Sequence, residues 1–478
     1  MSRVKTIFKN MSWLLISQII ASICGFIWTI LIARYLGVND YGILGFAISL
    51  TGILNILTDL GISTHIVRHI ATDYDSAPKY LGNALPLKSL FSLGTITITL
   101  IILILMRSDK LTIIITLLFT LEMIFKSFIS LLNGGFQAFE EGKYQGIANS
   151  LLNTTLLVFI LISVYLDLGI YGITFSYVLS NLITLIYAYY TFKSKITKPK
   201  FELDKSFCKK ITFLAIPFAA TSFLSTLYFS IDVVMLTNIV GSYATGIYNA
   251  TFKLISILTL FYSVYLAVIF PVMSKLFKND KKLLIISFEK SLKYLMMIII
   301  PIAVATTFYS TELIQLIYGH EYDAASQVLA ILIWTVILLF ISGSCNTLLY
   351  SSHRERSVTK IYIIAALFNI ILNIIMIPYL SYNGAAITTV LSELLIVAIQ
   401  FYIIHKLGHK LSKKLYFDLT KIVIGSFILG IGLNYLNLNM WVAIPVGITI
   451  YLIPLIFLKF FDDDDKYIIM EILDRKNH

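Results

Sequence analysis

The stretch IARYLGVNDYGILG, residues 32–45, ends a long apolar run with a single arginine and then turns between Gly37 and Gly42. The same glycine spacing returns in VGSYATGIY, residues 240–248, where Gly241 and Gly246 stand 204 positions after Gly37 and Gly42. Ile43 and Ile247 align as well, but the second copy has no counterpart of Arg34. A further pair, GITFSYVLSNL (172–182) and GAAITTVLSEL (384–394), shares its leading glycine and the run Val-Leu-Ser at an offset of 212. Glycine supplies turn conformations that other residues resist. Its recurrence at fixed spacing therefore marks a repeated turn, and with it an internal duplication.

Composition sets the solvent in which that duplication folds. The 478 residues are 58% hydrophobic and 13% charged, with mean hydropathy +0.86, more apolar surface than a water-soluble chain can bury. Windows of about 20 apolar residues, enough to cross roughly 30 Å of hydrocarbon, recur fourteen times, at 10–34, 41–62, 83–106, 111–135, 145–166, 170–192, 211–236, 243–270, 286–308, 325–350, 359–378, 384–405, 418–436 and 440–460. The first follows Arg3, Lys5 and Lys9 but is too long for a signal-peptide core and lacks a cleavage site, so it is expected to stay.

Charge placement predicts the topology. Seven lysines (193, 195, 198, 200, 205, 209 and 210) crowd the connection between the sixth and seventh runs, whereas the alternate connections carry only Arg34, Arg107 and Lys110. This asymmetry places both termini in the cytoplasm, in a multi-pass cytoplasmic-membrane protein. The net charge of +11 then faces anionic lipid and not nucleic acid.

The predicted architecture is all-α: fourteen transmembrane helices in two six-helix lobes related as parallel repeats, plus two C-terminal helices. The N-lobe takes residues 1–195, a basic cytoplasmic linker containing Pro199 takes 196–210, the C-lobe takes 211–405, and the last two helices with a cytoplasmic tail take 406–478. The run FDDDDK at 461–466 belongs to that solvated tail. A monomer is expected.

Three segments carry a family resemblance: RYLGVNDYGILGFAIS (34–49), LTDLGISTHIVRHIA (57–71) and LDLGIYGITFSYVLSNL (166–182). They resemble the polysaccharide exporters, or Wzx-type oligosaccharide flippases, a group related to the multidrug-and-toxin extruders (MATE) and the lipid II flippase. The resemblance implies a MATE-like fold that moves oligosaccharide linked to a polyprenyl or dolichyl pyrophosphate across the membrane by alternating access. It also implies no cofactor and no catalytic residue.

Ionisable groups at membrane depth normally face a partner or a wet cavity. Glu122 and Lys126 sit at i, i+4 spacing and can pair on one helix face or serve a cavity. Asp232 and Lys253 flank the second glycine turn, and two readings are open for them: a static pair, or a pyrophosphate contact at Lys253 released by protonation of Asp232. Glu393, isolated from basic residues along its own run, is a candidate for coupling to H+ or Na+, as are Asp232 and Glu122. Arg34 either snorkels to headgroups or offers its planar fork to phosphate. Candidate substrate contacts are therefore Lys253, Arg34 and Lys126, while Asp59 and Arg68 flank the cytoplasmic end of the second run as interfacial or gating charges. Gln18, Asn55, Asn149, Asn153, Asn181, Asn369, Asn373 and Gln400 either bond between helices or line a sugar passage.

The sequence also excludes chemistry. Cys24, Cys208 and Cys345 are too scattered for a disulfide framework or a metal site, and no Walker, HExxH or GxSxG motif occurs. A membrane polysaccharide polymerase or ligase would need basic groups on its longest outer connection, and 309–324 has no arginine or lysine. A cation-coupled multidrug antiporter of the same fold remains open, and the sign of charge in the transport cavity separates it from a flippase.

Overall fold

The computed structural model describes residues 3–198, 202, 204–409, 411–436 and 438–461. Most of the 461–466 run and the tail after it, together with part of the basic linker, lie outside the described residues.

Helix is the only regular structure among the described residues, as lipid demands of any open chain that must satisfy its own backbone. In chain order the helices are α1 (Arg3–Asp59), α2 (Ile62–Ile70), α3 (Ala77–Leu105), α4 (Lys110–Ala138), α5 (Gly142–Tyr165), α6 (Gly169–Lys195), α7 (Lys205–Ile239), α8 (Ser242–Asn279), α9 (Lys281–Phe308), α10 (Ser310–Tyr318), α11 (Ala325–Ser351), α12 (Glu355–Lys406), α13 (Lys413–Leu436) and α14 (Met440–Phe457). Short polar residues start several of them. Asp109, Asp204, Asp280 and Asn439 each cap the next helix by accepting a backbone N–H, for example Thr112 N at 3.1 Å and Lys282 N at 2.8 Å.

Ten of the described helices are long and apolar enough to cross a membrane. The sequence separates the first two apolar runs by a turn, and the structure compresses that turn into one residue. α1 continues through Gly37, which alone leaves helical geometry (φ 68°, ψ 178°), and α12 does the same through Ser381 (φ 51°, ψ −133°).

The chain forms two compact units, residues 1–249 and 250–478. In the first, α1 packs against α4, α5 and α7, and α6 against α4 and α5. In the second, α11 packs on α9 and α12, and α13 on α9 and α14.

The repeated glycines act twice in the first unit. Gly37 and Gly241 both occupy the left-handed region, at φ 68° and 117°. Gly42 and Gly246 lie where α1 crosses the start of α8. A Cβ on Gly42 would fall 1.9 Å from the Ser242 carbonyl oxygen, and one on Gly246 would fall 2.0 Å from the Val38 carbonyl oxygen. Val38 and Ser242 are themselves 204 positions apart. The two copies of the motif therefore meet each other about a local pseudo-two-fold axis.

Candidate functional site

The site is built from a stripe on α4. Lys126, Ser130, Asn133 and Gln137 recur at intervals of four, three and four residues, which puts them on one face of the helix. All four line a groove of about 710 Å³. α2 contributes Thr64 and Arg68, one turn apart and both exposed, and α5 contributes Gln145 and Asn149. The opposite face of α2 explains its orientation. Ile62, Ile66 and Ile70 are fully buried in a cluster with Phe136 and Phe192, so the amphipathic helix turns its polar side to the groove.

Among the described residues, four carboxamides and two cations line this groove and no lining residue is acidic. A second cavity of about 240 Å³ adjoins it through the shared residues Thr64, Lys126 and Ser130. It extends to Asn55 and Asp59 of α1 and to Phe223 and Thr226 of α7.

Asp59 does not make this second cavity negative. Its carboxylate is ion-paired with Lys88 of α3, a fully buried lysine. The ammonium also donates to Ser63 Oγ at 3.1 Å and to the Ser127 carbonyl oxygen at 2.9 Å, and Ser63 Oγ bonds Asp59 at 2.5 Å. Lys88 thus fastens the end of α1, the start of α2 and the middle of α4 to one another, with all three of its protons placed. Sequence reading missed Lys88, although a lone lysine within the run 83–106 was as visible there as Glu122 in the next.

Lys126 and Glu122 part company. Glu122 is buried and accepts from Asn181 Nδ2 at 3.0 Å, while Lys126 is exposed to both cavities and, among the described residues, has no carboxylate oxygen within 4.0 Å. Arg68, an interfacial or gating charge by sequence, lines the larger groove. Arg34 lies exposed one turn before the Gly37 break, and its neighbour Tyr35 donates to Asp167 at 2.8 Å and accepts from Gly169 N at 2.7 Å. Asp232 is buried and accepts from the Tyr248 hydroxyl at 2.9 Å. Lys253 is half-buried on α8.

In the second unit Glu393 is 1% exposed. Two turns along the same face of α12, Gln400 donates to Asn346 Oδ1 at 2.9 Å and to the Ser342 carbonyl oxygen at 3.1 Å, and Asn346 donates to the Tyr362 hydroxyl at 3.0 Å. Asn373 bonds Asn369 at 3.0 Å. Gln400 and Asn346 tie α11 to α12 and the Asn369–Asn373 bond stays within α12, whereas Asn55 and Asn149 line the cavities of the first unit. A buried ion pair, Lys293 to Asp418 at 3.2 Å, joins α9 to α13. Lys293 was also missed in the sequence, although it stands inside the ninth run.

No group of three histidine, cysteine or acidic residues that could hold a metal occurs among the described residues. The chemistry of the paired cavities is recognition: cations for an anion, and amides for hydroxyl and amide groups.

Comparison with known proteins agrees in fold. The chain superposes on an inward-closed lipid II flippase MurJ with TM-score 0.77 at 18% identity, covering 93% of this chain and 98% of that one. An inward-facing multidrug-resistance MATE transporter gives TM-score 0.68 at 16% identity, with 82% and 96% covered. Among curated sequences, the capsular polysaccharide biosynthesis protein CapF of Staphylococcus aureus is 26% identical over 406 residues, 83% of this chain and 99% of CapF. A Haloferax volcanii protein described as "Probable low-salt glycan biosynthesis flippase" is 24% identical, with 79% of each chain covered. The pattern of the polysaccharide biosynthesis protein family matches residues 7–277, and that of the lipid II flippase MurJ matches residues 198–452. The chain belongs to the polysaccharide biosynthesis protein family, and the second part of its sequence is shared with the lipid II flippases.

Proposed function

We propose that this chain is a flippase, not an enzyme, which moves oligosaccharide linked to a lipid pyrophosphate from the cytoplasmic to the outer leaflet of the cytoplasmic membrane by alternating access. The observation that carries the reading is the pair of joined cavities in the first unit. Lys126 and Arg68 enter them, Asp59, the one acid among their described lining residues, is held by Lys88, and five amides continue the lining. A diphosphate suits the cations and a glycan suits the amides. An organic cation would meet repulsion there, which weighs against the drug antiporter.

Counting α1 and α12 as two spans each and adding α7 and α8 gives fourteen spans. Residues 1–195 and 211–405 are the two lobes in this reading, joined by the basic linker and followed by the two C-terminal helices. Lys253 and Arg34 add contacts to the pyrophosphate, and Asp232, Glu393 or Glu122 couples transport to H+ or Na+. The protein acts as a monomer with both termini in the cytoplasm, so reporter fusions at Leu168 and Lys200 should report opposite sides of the membrane.

The direct test is flipping of a polyprenyl-pyrophosphate oligosaccharide in proteoliposomes. Replacing Arg68 and Lys126 together by alanine should abolish it while the protein still inserts. Full transport by that double variant would refute the assignment of the cavities.

A further inference from the structure

The smaller cavity narrows onto the break between α1 and α2. Leu60 (φ 43°) and Gly61 (φ 75°) carry the chain through the left-handed region, ending α1 at Asp59 and opening α2 at Ile62. Among the described residues no side chain caps α2, and its first internal hydrogen bond runs from His65 N to the Gly61 carbonyl at 3.1 Å. The amides of Ile62, Ser63 and Thr64 consequently have no protein acceptor among the described residues, and Gly61 and Thr64 line the cavity. Such a terminus presents N–H groups and partial positive charge to an anion.

A second observation at the same place points to a ligand. Ser127 of α4 lines this cavity and is 3% exposed, yet its hydroxyl has no hydrogen-bond partner among the described residues. A buried hydroxyl left in this state costs free energy unless something outside the protein satisfies it. Its own carbonyl oxygen is held by Lys88, which fixes the residue against the α2 terminus. Lys126, the preceding residue, enters the same cavity with no carboxylate oxygen within 4.0 Å among the described residues.

We propose that the opening of α2, Ser127 Oγ and Lys126 together form a diphosphate site. This inference rests on the flippase reading and deepens it by dividing the substrate. The diphosphate docks at the broken helix, and the glycan extends along the amide groove that shares Thr64, Lys126 and Ser130. Lys88 is a positioning residue here: it neutralises Asp59, which would otherwise repel the phosphate, and holds α1, α2 and α4 in register around the site.

The test uses the full chain in detergent with geranyl diphosphate as probe and geraniol as its uncharged control, read by calorimetric titration. Lys126→Ala should weaken geranyl diphosphate binding at least about tenfold, and Ser127→Ala about three- to tenfold, the scale of a charge-assisted hydrogen bond. Lys126→Arg should retain most of the affinity, and geraniol binding should be unchanged throughout. Unchanged thermal midpoints establish that the variants fold. Wild-type affinity in both alanine variants, or no preference of the wild type for geranyl diphosphate over geraniol, overturns the site. Because binding is measured without transport, the two readings fail separately. The predicted pattern in a protein that flips nothing would keep the site and remove the flippase, while full flipping with unaffected variants would do the reverse.

Discussion

Gly246→Leu addresses how the two copies of the glycine motif meet. A Cβ at Gly246 would stand 2.0 Å from the Val38 carbonyl oxygen, and ordinary contact begins near 3.4 Å. The crossing of α1 and α8 must open there by about 1.4 Å. The obstacle is backbone on both sides, so no side-chain rotation can absorb it, and forced overpacking of this kind costs about 1–3 kcal/mol. On the alternating-access reading the crossing belongs to one of the two conformations, so the cost falls on that conformation alone. A bias of about 2 kcal/mol shifts its population roughly thirtyfold, and leucine adds further volume to what the Cβ demands. Two assays read the shift: flipping in proteoliposomes, and disulfide formation between cysteines placed at Val38 and Ser242. Gly246→Leu should slow both strongly, Gly246→Ala less so, and Gly42→Ala should match Gly246→Ala because the contacts are symmetric. Wild-type transport and wild-type cross-linking in Gly246→Leu would show that the helices do not depend on this approach.

Lys88→Ala should lower thermal stability by about 3–5 kcal/mol, because it leaves Asp59 beside a buried, uncompensated site, whereas Lys88→Met combined with Asp59→Asn should recover most of the loss in the same detergent melt. Lys253→Ala should abolish transport of lipid-linked oligosaccharide without preventing insertion, and Lys253→Arg should keep part of it; full transport by the alanine variant would remove Lys253 from the substrate contacts. His409, in the connection between α12 and α13, is held below its ordinary value of 6.5 by burial and by the positive charge of Lys281. The unfolded chain therefore takes up this proton at higher pH than the folded chain, so the contribution of neutral His409 is complete above about pH 6.5 and falls away as pH drops toward the folded value. Comparison of thermal midpoints at pH 7.5 and 5.5 should show a larger loss for the wild type than for His409→Gln.

Much of the site was legible in the chain before it folded, and some of it was read too narrowly. Lys126 stood out as a charge in an apolar run, but the stripe it begins, through Ser130, Asn133 and Gln137, was equally open to helical spacing. That stripe identifies the face of α4 that turns from lipid. Arg68 and Asp59 were recognised as charges near the end of the second run. Their place at the cavities depends on the break at Leu60 and Gly61 that separates α2 from α1, and two successive left-handed residues leave little trace in sequence when only one of them is glycine.

The sequence alone determined the solvent, the all-helical class, the recurring apolar runs and the glycine spacing shared by Gly37, Gly42, Gly241 and Gly246, since each of these follows from residue type and spacing along one dimension. Tertiary structure decided the partners. Lys88 reaches Asp59 across 29 residues and Lys293 reaches Asp418 from another helix, while Glu122 turns to Asn181, 59 positions away, and leaves its near neighbour Lys126 to the cavity. Pairing of charges in a low-dielectric interior is settled by which helix faces pack together, and local spacing offers a helix neighbour that packing then accepts or refuses. The glycine motif shows the same division: its period was written in the chain, but the contact of one copy with the other exists only where α1 crosses α8.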